Sequence, residues 1–415
     1  MKILRFAHCF NSGGGTERYL EDLDTALLAK NPFTIFRIQF SETGEKEISE
    51  KQVGLGKVIT IGLPRHSDDK GPKQERTQSR AKEQFRNHVL YNPLVWNAFT
   101  KRKIANYALK KEAGQVIGAG VAAKEIFRNH KIDLCMMHFF GGSDAEEVIL
   151  AARKVKVPIA VQNHYSNDRF LHLAIRKHAM LADATSGVNS LQVPKYLKGQ
   201  FHNLSDGIDT EFFTPIEIDL EAQKNEQVIL LPARVVPEKG QEDLIEVLSK
   251  LHQDFPKARI AFAGRATDEV FNKKLRQKAE QYGILQNVEF LGDLDVHQLK
   301  QQYQRSSLVA FPSYHHEGLG RIIVEAQSME KPVVAYATGG VPDGIKDEET
   351  GFLVKTGDIK GMTQKLAVLL RSDNHRTAMG QKGRKYVLEY FSLEALAARH
   401  LAFYQEVAVN KSTQK

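Results

Sequence analysis

Two glutamates, Glu317 and Glu325, lie eight residues apart in the stretch EGLGRIIVEA. An ionised carboxylate only accepts hydrogen bonds and can take two hydroxyl donors at once, so these acids suit the hydroxyl groups of a sugar or a ribose. Gly318 and Gly320 open a predicted helix over residues 319–329. The free N–H groups at its start favour an anion. On spacing alone, a solvated loop acid and a helix-surface acid are the simpler interpretation.

Two basic residues precede these acids in the stretch ARVVPEKG, residues 233–240. Arg234 leaves the end of a predicted strand, and Lys239 follows five residues later, just before a predicted helix. A diphosphate leaving group needs neutralising charge, which a guanidinium and an ammonium supply together. Either residue alone would be an ordinary surface base. The pair, with two acids downstream, predicts a functional site for an anionic ligand.

The order of elements predicts parallel, doubly wound sheets. In the second half of the chain, five apolar strands alternate with helices that begin at Gly240, Asp268, Asp295 and Leu319; the strands are residues 228–232, 258–263, 288–291, 308–311 and 332–337. Repeated βα units form parallel sheets covered on both faces. Ligands bind at the carboxyl ends of such strands, where the acids and bases described above lie.

The stretch EGLGRIIVEA, followed by KPVVA, resembles the E-x7-E signature of retaining glycosyltransferases of family four, the glycosyl transferases group one. ARVVPEKG and SDGIDTEFFTP, residues 205–215, are similar to the same family. The resemblance covers most of residues 200–410 with specific motifs. Before that it depends on the order of elements and on the glycine loop NSGGG. It implies an α/β fold of the GT-B type, in which two Rossmann-like doubly wound domains face each other across a cleft.

The resemblance also implies which residues bind the sugar donor. The implied donor-binding set is Gly14, Gly15, Arg234, Lys239, Gly264, Arg265, Glu317, Gly318, Leu319, Gly320 and Glu325. The implied catalytic set is Glu317, His164, Arg234 and Lys239. Many relatives have a second glycine and a proline after the third-strand glycine, whereas this chain has Arg265 after Gly264. That departure leaves the preference for base and sugar open.

Two histidines end neighbouring predicted strands in the first half of the chain. His164 ends the stretch PIAVQNH, and His138 ends the strand before it. Similar enzymes have a histidine near the transferring sugar at this strand end, which implies that role for His164. A lone histidine at a strand end is more often structural. Tyr165 and Arg169 follow His164 and are predicted, together with His138, to contact the acceptor.

The sequence shows no D-x-D pair in a suitable loop, and its His, Asp and Glu residues do not have the spacing of metal ligands. We therefore predict transfer without a metal or a cofactor, in which Arg234, Lys239 and a helix N-terminus replace magnesium. The resemblance implies a UDP- or GDP-linked sugar as substrate. It also implies retention of the anomeric configuration by same-face attack, with the departing phosphate taking the acceptor proton.

The composition indicates a soluble protein with two domains. The chain has 415 residues, of which 42% are hydrophobic and 26% charged, which suits two cores of ordinary size. No apolar run approaches the ~18 residues of a membrane span, and the N-terminus is too short and polar for a signal peptide. We predict a cytoplasmic protein with an N-terminal domain at 1–206, a donor-binding domain at 207–392, and a helix at 393–415 that crosses back to the first domain.

The formal net charge of +8 is concentrated in residues 65–111, which contain twelve Lys and Arg residues against four Asp and Glu. Trp96, Phe99 and Tyr107 are interleaved with these bases, a mixture that suits a phosphorylated acceptor or an anionic membrane surface. A solvated helix face is an equal alternative, and no recognisable motif supports nucleic acid. The acceptor is therefore predicted to be a glycan, a lipopolysaccharide core or a glycolipid, with peripheral contact at the inner face of the membrane.

Two other functions fit the same residues. A nucleotide-sugar epimerase or phosphorylase needs a sugar substrate but no separate acceptor, so product formed without acceptor would indicate it. A non-catalytic protein that binds a nucleotide sugar would show neither transfer nor hydrolysis.

Overall fold

The computed structural model describes residues 1–6, 15–41, 47–64, 119–138, 143–163, 181–188, 201–216 and 227–412. These residues form two compact units. Unit 1 contains the described residues up to 188 together with 201–204 and 397–412. Unit 2 contains residues 205–216 and 227–396.

Unit 1 is built on a mainly parallel sheet. Its eight described strands are β1 (Lys2–Phe6), β2 (Thr34–Ser41), β3 (Glu47–Val53), β4 (Gly56–Pro64), β5 (Leu134–His138), β6 (Ile159–Asn163), β7 (Ala184–Gly187) and β8 (Phe201–Asn203). Their order in the sheet is β3-β4-β2-β1-β5-β6-β7-β8, with β1 at the centre. Among these strands only β3 and β4 pair antiparallel.

Strand β3 was not predicted from the sequence. Its residues, EISEKQV, carry charge on both faces, and Ile48 is 66% exposed. It pairs with β4 from Val53 opposite Gly56 to Glu47 opposite Gly62, at the edge of the sheet. A charged edge strand protects the sheet from pairing with another chain. Its lack of alternation between apolar and polar residues explains why the sequence pattern missed it.

Three helices of unit 1 lie within the described ranges before residue 189, namely α1 (Gly15–Lys30), α2 (Ala119–Asn129) and α3 (Ser143–Lys154). The apolar spacing of residues 119–129 and 143–154 in the sequence predicts helices over the same bounds as α2 and α3. Helix α2 buries Ala122, Ala123 and Ile126, and α3 buries Val148 and Ala152. These positions recur every three to four residues, as expected for one helix face packed on a sheet.

The centre of unit 1 contains a buried charge pair. Arg5 on β1 is fully buried and forms an ion pair with Asp24 on α1. Asp24 also pairs with Arg37 on β2 at 2.6 Å, and Arg5 Nη2 donates to the Tyr404 hydroxyl at 3.2 Å. Burial is the largest influence and lowers the pKa of Arg5, but the attraction of Asp24 and Tyr404 outweighs it and raises that pKa above its ordinary value. A buried charge is tolerated only with such partners.

Unit 2 is built on a fully parallel sheet. Its six strands are β9 (Gln227–Leu231), β10 (Ala258–Ala263), β11 (Val288–Gly292), β12 (Leu308–Phe311), β13 (Val333–Tyr336) and β14 (Gly351–Val354), in the order β11-β10-β9-β12-β13-β14. The five strands predicted for this half are confirmed. Strand β14, formed by GFLV at the sheet edge, was not predicted from the sequence. The α/β class with parallel sheets is therefore confirmed.

The helices of unit 2 are α4 (Gln241–Leu251), α5 (Glu269–Gln281), α6 (Val296–Arg305), α7 (Arg321–Ser328), α8 (Val341–Gly344), α9 (Ile359–Arg371) and α10 (Asp373–Tyr390). Asp268 caps α5 by accepting from the N–H groups of Val270 and Phe271. Asp295 and Gln298 form a capping box at the start of α6. Such caps satisfy N–H groups that have no partner within the helix, and they fix the two starts predicted from the sequence.

The C-terminal helix, α11 (Leu393–Ser412), begins in unit 2, and its residues from 397 onward belong to unit 1. Leu396, Phe403 and Val407 are buried, as their apolar spacing predicted. His400 is also buried, and its Nε2 lies 2.6 Å from the hydroxyl of Tyr19 on α1. None of the helices that the structure describes is both long and apolar enough to span a membrane.

The buried pair of unit 1 yields a test of stability. We expect Asp24→Ala to lower the free energy of unfolding by about 3–5 kcal/mol, because Arg5 would remain buried without its main counter-charge. Glu50→Ala is the matched control, since Glu50 pairs with Lys57 at 2.8 Å on the surface, and such pairs contribute about 0–1 kcal/mol. Urea unfolding followed by circular dichroism measures both. Equal, small losses would contradict the structural role of the Arg5–Asp24 pair.

A second test uses Lys331, whose Nζ donates to the Gln304 carbonyl at 3.1 Å. Burial, reinforced by the nearby charge of Arg376, lowers the pKa of Lys331 from 10.5 to about 8. Between these two values the unfolded chain binds more protons than the folded one, so rising pH stabilises the wild type relative to Lys331→Met.

We expect the stability advantage of Lys331→Met over the wild type to shrink by about 2 kcal/mol between about pH 7.5 and about pH 10. Lys257→Met serves as control, because Lys257 is exposed. Urea unfolding at several pH values gives the difference. If the difference in free energy of unfolding between Lys331→Met and the wild type did not change with pH, burial would not destabilise the charged amine of Lys331.

Candidate functional site

Three loops of unit 2 are hydrogen-bonded to one another at the carboxyl ends of β9, β12 and β13. Tyr314 N, in the loop after β12, donates to Glu238 O in the loop after β9 at 2.8 Å. From the loop after β13, Thr338 Oγ1 donates to Ser313 O at 3.0 Å and Gly340 N donates to Glu317 O at 2.9 Å. The loops are therefore held as one assembly at the edge where parallel sheets bind ligands.

This assembly brings together Lys239 and Glu317, which are 78 residues apart in the sequence. The Lys239 ammonium forms an ion pair with Glu317 Oε1, and the two side chains are only 13% and 17% exposed. Ser313 Oγ donates to the same carboxylate oxygen at 3.2 Å. Lys239 Nζ also lies 5.9 Å from the centre of the Phe311 ring. The two residues that the sequence marked separately for charge chemistry thus form one pair.

Two glycines allow the loops to approach this closely. Gly240 has φ +74°, and a Cβ there would lie 2.0 Å from the Pro312 carbonyl oxygen. Gly339 has φ +53°, and a Cβ there would lie 2.5 Å from the Glu317 carbonyl oxygen. Only glycine fits both requirements, the left-handed backbone and the missing side chain. Gly339 therefore fixes the backbone of Glu317.

The loop after β10 is attached to the same assembly. Val235 N donates to Arg265 O at 3.0 Å, which ties the predicted donor residues Gly264 and Arg265 to the loop that carries Arg234. The side chains of Arg234 and Arg265 are both exposed, while Gln241 Nε2 holds the Arg234 carbonyl at 2.8 Å. The structure therefore places Arg234 and Arg265, whose side chains are both exposed, on two loops that are hydrogen-bonded to each other.

Helix α7 begins at Arg321, two residues later than predicted. Gly320 precedes it with φ +79°, a left-handed conformation that excludes Gly320 from the helix. Leu319 is buried, whereas Gly318 and Gly320 are partly exposed. The predicted glycines thus stand at the entry to α7, next to Glu317.

Glu325 lies inside unit 2, on the second turn of α7. It is 2% exposed, and the Tyr303 hydroxyl donates to its Oε2 at 3.0 Å. Arg321 Nε lies 3.8 Å from its Oε1, and Arg321 Nη1 donates to the Gly207 carbonyl at 3.1 Å. The carboxylate is therefore held between α6 and α7 by a phenol and a guanidinium. Its part in donor binding stays a prediction.

The predicted residues of unit 1 are only partly described. His138, at the end of β5, is fully buried, with its ring centre 6.4 Å from that of Tyr19. Tyr19 accepts a hydrogen bond from Gln162 Nε2 at 2.7 Å, so His138 belongs to a polar cluster that also reaches His400. The acceptor role of His138 stays a prediction. Gly15 is the first residue of α1.

The remaining predicted residues of this half lie outside the described residues. They are Gly14, His164, Tyr165, Arg169 and the basic segment at 65–111.

Sequence reasoning missed one cluster beside the site. The hydroxyls of Tyr314 and Tyr336 both donate to Asp243 Oδ2, at 2.6 and 2.7 Å. Burial, followed by the hydrogen bond to Asp243, raises the pKa of Tyr314 to about 12. Asp243 lies in the first turn of α4, so the cluster braces the loop before Glu317 against that helix. The feature of the sequence that could have indicated this cluster is Tyr314, which lies three residues before Glu317.

The part of unit 2 and unit 1 that the structure describes contains no group of three or more His, Cys, Asp or Glu residues placed to hold a metal ion. That sugar transfer needs no metal stays a prediction from the sequence. The basic groups available in the described loops are Arg234, Lys239 and Arg265.

Part of unit 2 is similar to known proteins. Residues 213–386 match the model of the family Glycosyl transferases group 1. A GDP-mannose-dependent alpha-(1-6)-phosphatidylinositol monomannoside mannosyltransferase of Mycolicibacterium smegmatis is 29% identical over 210 residues, which are 48% of this chain and 54% of that protein. The chain spans about half the length of the curated relatives it matches.

Solved structures match over nearly the whole length. A glycosyltransferase from Rickettsia africae has a TM-score of 0.70 at 19% identity and covers 98% of both chains. HepE from Anabaena, in complex with UDP, has a TM-score of 0.67 at 17% identity and covers 98% of this chain and 100% of its own. At these identities the likeness concerns the fold. The chain has the GT-B fold of two Rossmann-like domains, and its residues 213–386 match the Glycosyl transferases group 1 family.

Proposed function

We propose that the chain is a retaining glycosyltransferase that moves a sugar from a nucleoside diphosphate to a hydroxyl group of an acceptor, without a metal. The observation that carries this proposal is the Lys239–Glu317 pair at the carboxyl ends of β9 and β12, inside the region that matches the family. Cationic groups for a diphosphate and a carboxylate for sugar hydroxyls stand next to each other there.

In this reaction the bond between the anomeric carbon and the diphosphate oxygen breaks, and negative charge grows on the β-phosphate. Lys239, Arg234 and the N–H groups at the entry to α7 would stabilise that charge, which is the largest contribution such a site can make. Lys239 is fixed by its ion pair and by the turn at Gly240. Arg234 lies on the same loop with its side chain exposed, and it would close on a phosphate.

Glu317 would accept hydroxyl groups of the transferring sugar and hold its ring in position. The acceptor oxygen then bonds to the anomeric carbon from the side the diphosphate leaves, and the acceptor proton goes to the departing phosphate. On this route the chain supplies orientation and charge, and no covalent nucleophile is required. Retention by this route is supported by the resemblance of the E-x7-E motif.

We propose a glycan, lipopolysaccharide-core or glycolipid acceptor. The relative from Mycolicibacterium smegmatis is named for a phosphatidylinositol mannoside, a lipid that carries phosphate. The basic residues at 65–111 would suit such an acceptor or an anionic membrane surface. For the nucleotide, that relative is named GDP-dependent and HepE is described with UDP, so both are candidates.

A donor panel tests this function most simply. The protein is incubated with UDP- and GDP-linked sugars, each with and without glycolipid acceptors, and release of free nucleoside diphosphate is measured. Release that depends on acceptor supports transfer. A changed sugar nucleotide formed without acceptor would indicate an epimerase, and binding without any release would indicate a non-catalytic protein.

The charged groups of the site yield a prediction about the rate of transfer. Lys239→Met and Arg234→Ala should each reduce kcat/KM for transfer by about 100-fold or more, the typical cost of removing one group that stabilises transition-state charge. Lys365→Met is the matched control, because Lys365 pairs with Glu348 at 3.1 Å on the surface of the same unit. Thermal unfolding verifies that each variant folds. Wild-type kcat/KM in Lys239→Met would remove the proposed site.

The close contact between Gly339 and the backbone of Glu317 yields another prediction about transfer. Gly339→Ala should reduce transfer by about 10-fold or more, because the added methyl group pushes Glu317 away from Lys239. Gly283→Ala is the control: Gly283 has a similar φ of +69°, but nothing lies within 4 Å of its Cβ position. It should cost about 1 kcal/mol of stability without loss of kcat/KM. Equal activity losses in both variants would show that strain, and not the position of Glu317, is responsible.

A further inference from the structure

The Lys239 ammonium has an anionic partner within the protein. Glu317 Oε1 is paired with it, and Ser313 Oγ holds the same oxygen at 3.2 Å. The diphosphate of a donor, or of the product, is a second anion that needs the same ammonium. We propose that the diphosphate and Glu317 compete for Lys239, so that the re-formed Lys239–Glu317 pair expels the nucleoside diphosphate after transfer. This inference rests on the function proposed above.

The burial of the pair makes the competition strong. Both side chains are largely removed from solvent, at 13% and 17% exposure, so water and salt screen their interaction only in part. An ammonium has three N–H groups and has room for two acceptors. Two anions within reach of one ammonium nevertheless repel each other at short range. A diphosphate therefore binds best when the charge of Glu317 is moved or compensated.

The loop around Glu317 restricts how the carboxylate can move. Gly340 N holds the Glu317 carbonyl at 2.9 Å, and Gly339 packs against its backbone. With its backbone held, the Glu317 carboxylate separates from Lys239 by rotation of its side chain. Such a rotation needs new hydrogen-bond donors for the carboxylate, because an ionised oxygen left without a partner is costly.

A sugar supplies those donors, and a free nucleoside diphosphate does not. When an intact donor binds, its hydroxyl groups can replace Lys239 as partners of Glu317 while the diphosphate takes Lys239. After transfer the sugar is gone, and Glu317 is left with Lys239 as its best partner. The pair therefore discriminates between donor and product, which share the same diphosphate.

Calorimetric titration of UDP and GDP into the wild type, Glu317→Gln and Glu317→Ala tests the proposal. Both variants remove the competing charge, so the nucleoside diphosphate no longer has to separate a largely buried charge pair. We therefore expect both variants to bind it roughly fivefold more tightly than the wild type. Stopped-flow measurements should show correspondingly slower release. Glu348→Gln, which removes a carboxylate paired with Lys365 and 71% exposed, should bind as the wild type does.

The role of Lys239 itself is tested by a double-mutant cycle. In the Lys239→Met background, Glu317→Gln should increase the affinity for the nucleoside diphosphate clearly less, because there is no ammonium for the two anions to share. An equal gain in affinity for the nucleoside diphosphate in both backgrounds would show that Glu317 only repels the diphosphate. That result would overturn the proposed competition for Lys239. UDP-glucose and GDP-mannose provide the comparison with intact donors, whose affinity relative to the free nucleoside diphosphate should fall in Glu317→Gln.

Two results separate failure of this inference from failure of the proposed function. Nucleoside diphosphate binding that is equal or weaker in both Glu317 variants overturns the exchange and leaves the glycosyltransferase proposal standing. If neither nucleotide binds the wild type or any variant, both proposals fall.

Discussion

The candidate site depends on one charge pair, Lys239 with Glu317, joined across two loops of unit 2. Each partner is mostly buried, and neither would be stable there without the other, because an unpaired charge in a poorly hydrated place is costly. The rest of the local structure serves to bring them together. Gly240 and Gly339 permit close backbone contacts, and the tyrosines bonded to Asp243 brace the intervening loop.

Unit 1 depends on a comparable arrangement, with a different purpose. Arg5 and Asp24 pair at the centre of the sheet, and Tyr404 on the C-terminal helix accepts a further hydrogen bond from Arg5. His400 of the same helix reaches Tyr19. The last residues of the chain thus close the polar core of unit 1, so this helix is part of that unit's stability. In unit 2 the buried pair lies at the ligand-binding edge of the sheet, where its charges are available for chemistry.

The sequence predicted the repeating parts of the fold because periodic burial determines them. The helices at 119–129 and 143–154 and the five predicted strands of unit 2 follow directly from their apolar spacing. It missed β3, a charged edge strand, and β14 at the edge of the second sheet. It marked Lys239 and Glu317 separately, but no local pattern contains their pairing, the partners of Glu325, or the cluster around Asp243. These are contacts between distant segments, which exist only once the sheet has ordered its strands.

The most direct test of this account is a crystal structure of the chain with a sugar nucleotide that cannot be transferred, such as a 2-fluoro analogue of UDP-glucose or GDP-mannose. The account predicts a diphosphate oxygen within hydrogen-bond reach of Lys239 Nζ, and a sugar hydroxyl within reach of the Glu317 carboxylate. A ligand bound with its diphosphate away from Lys239, while the Lys239–Glu317 pair remains intact, would contradict it.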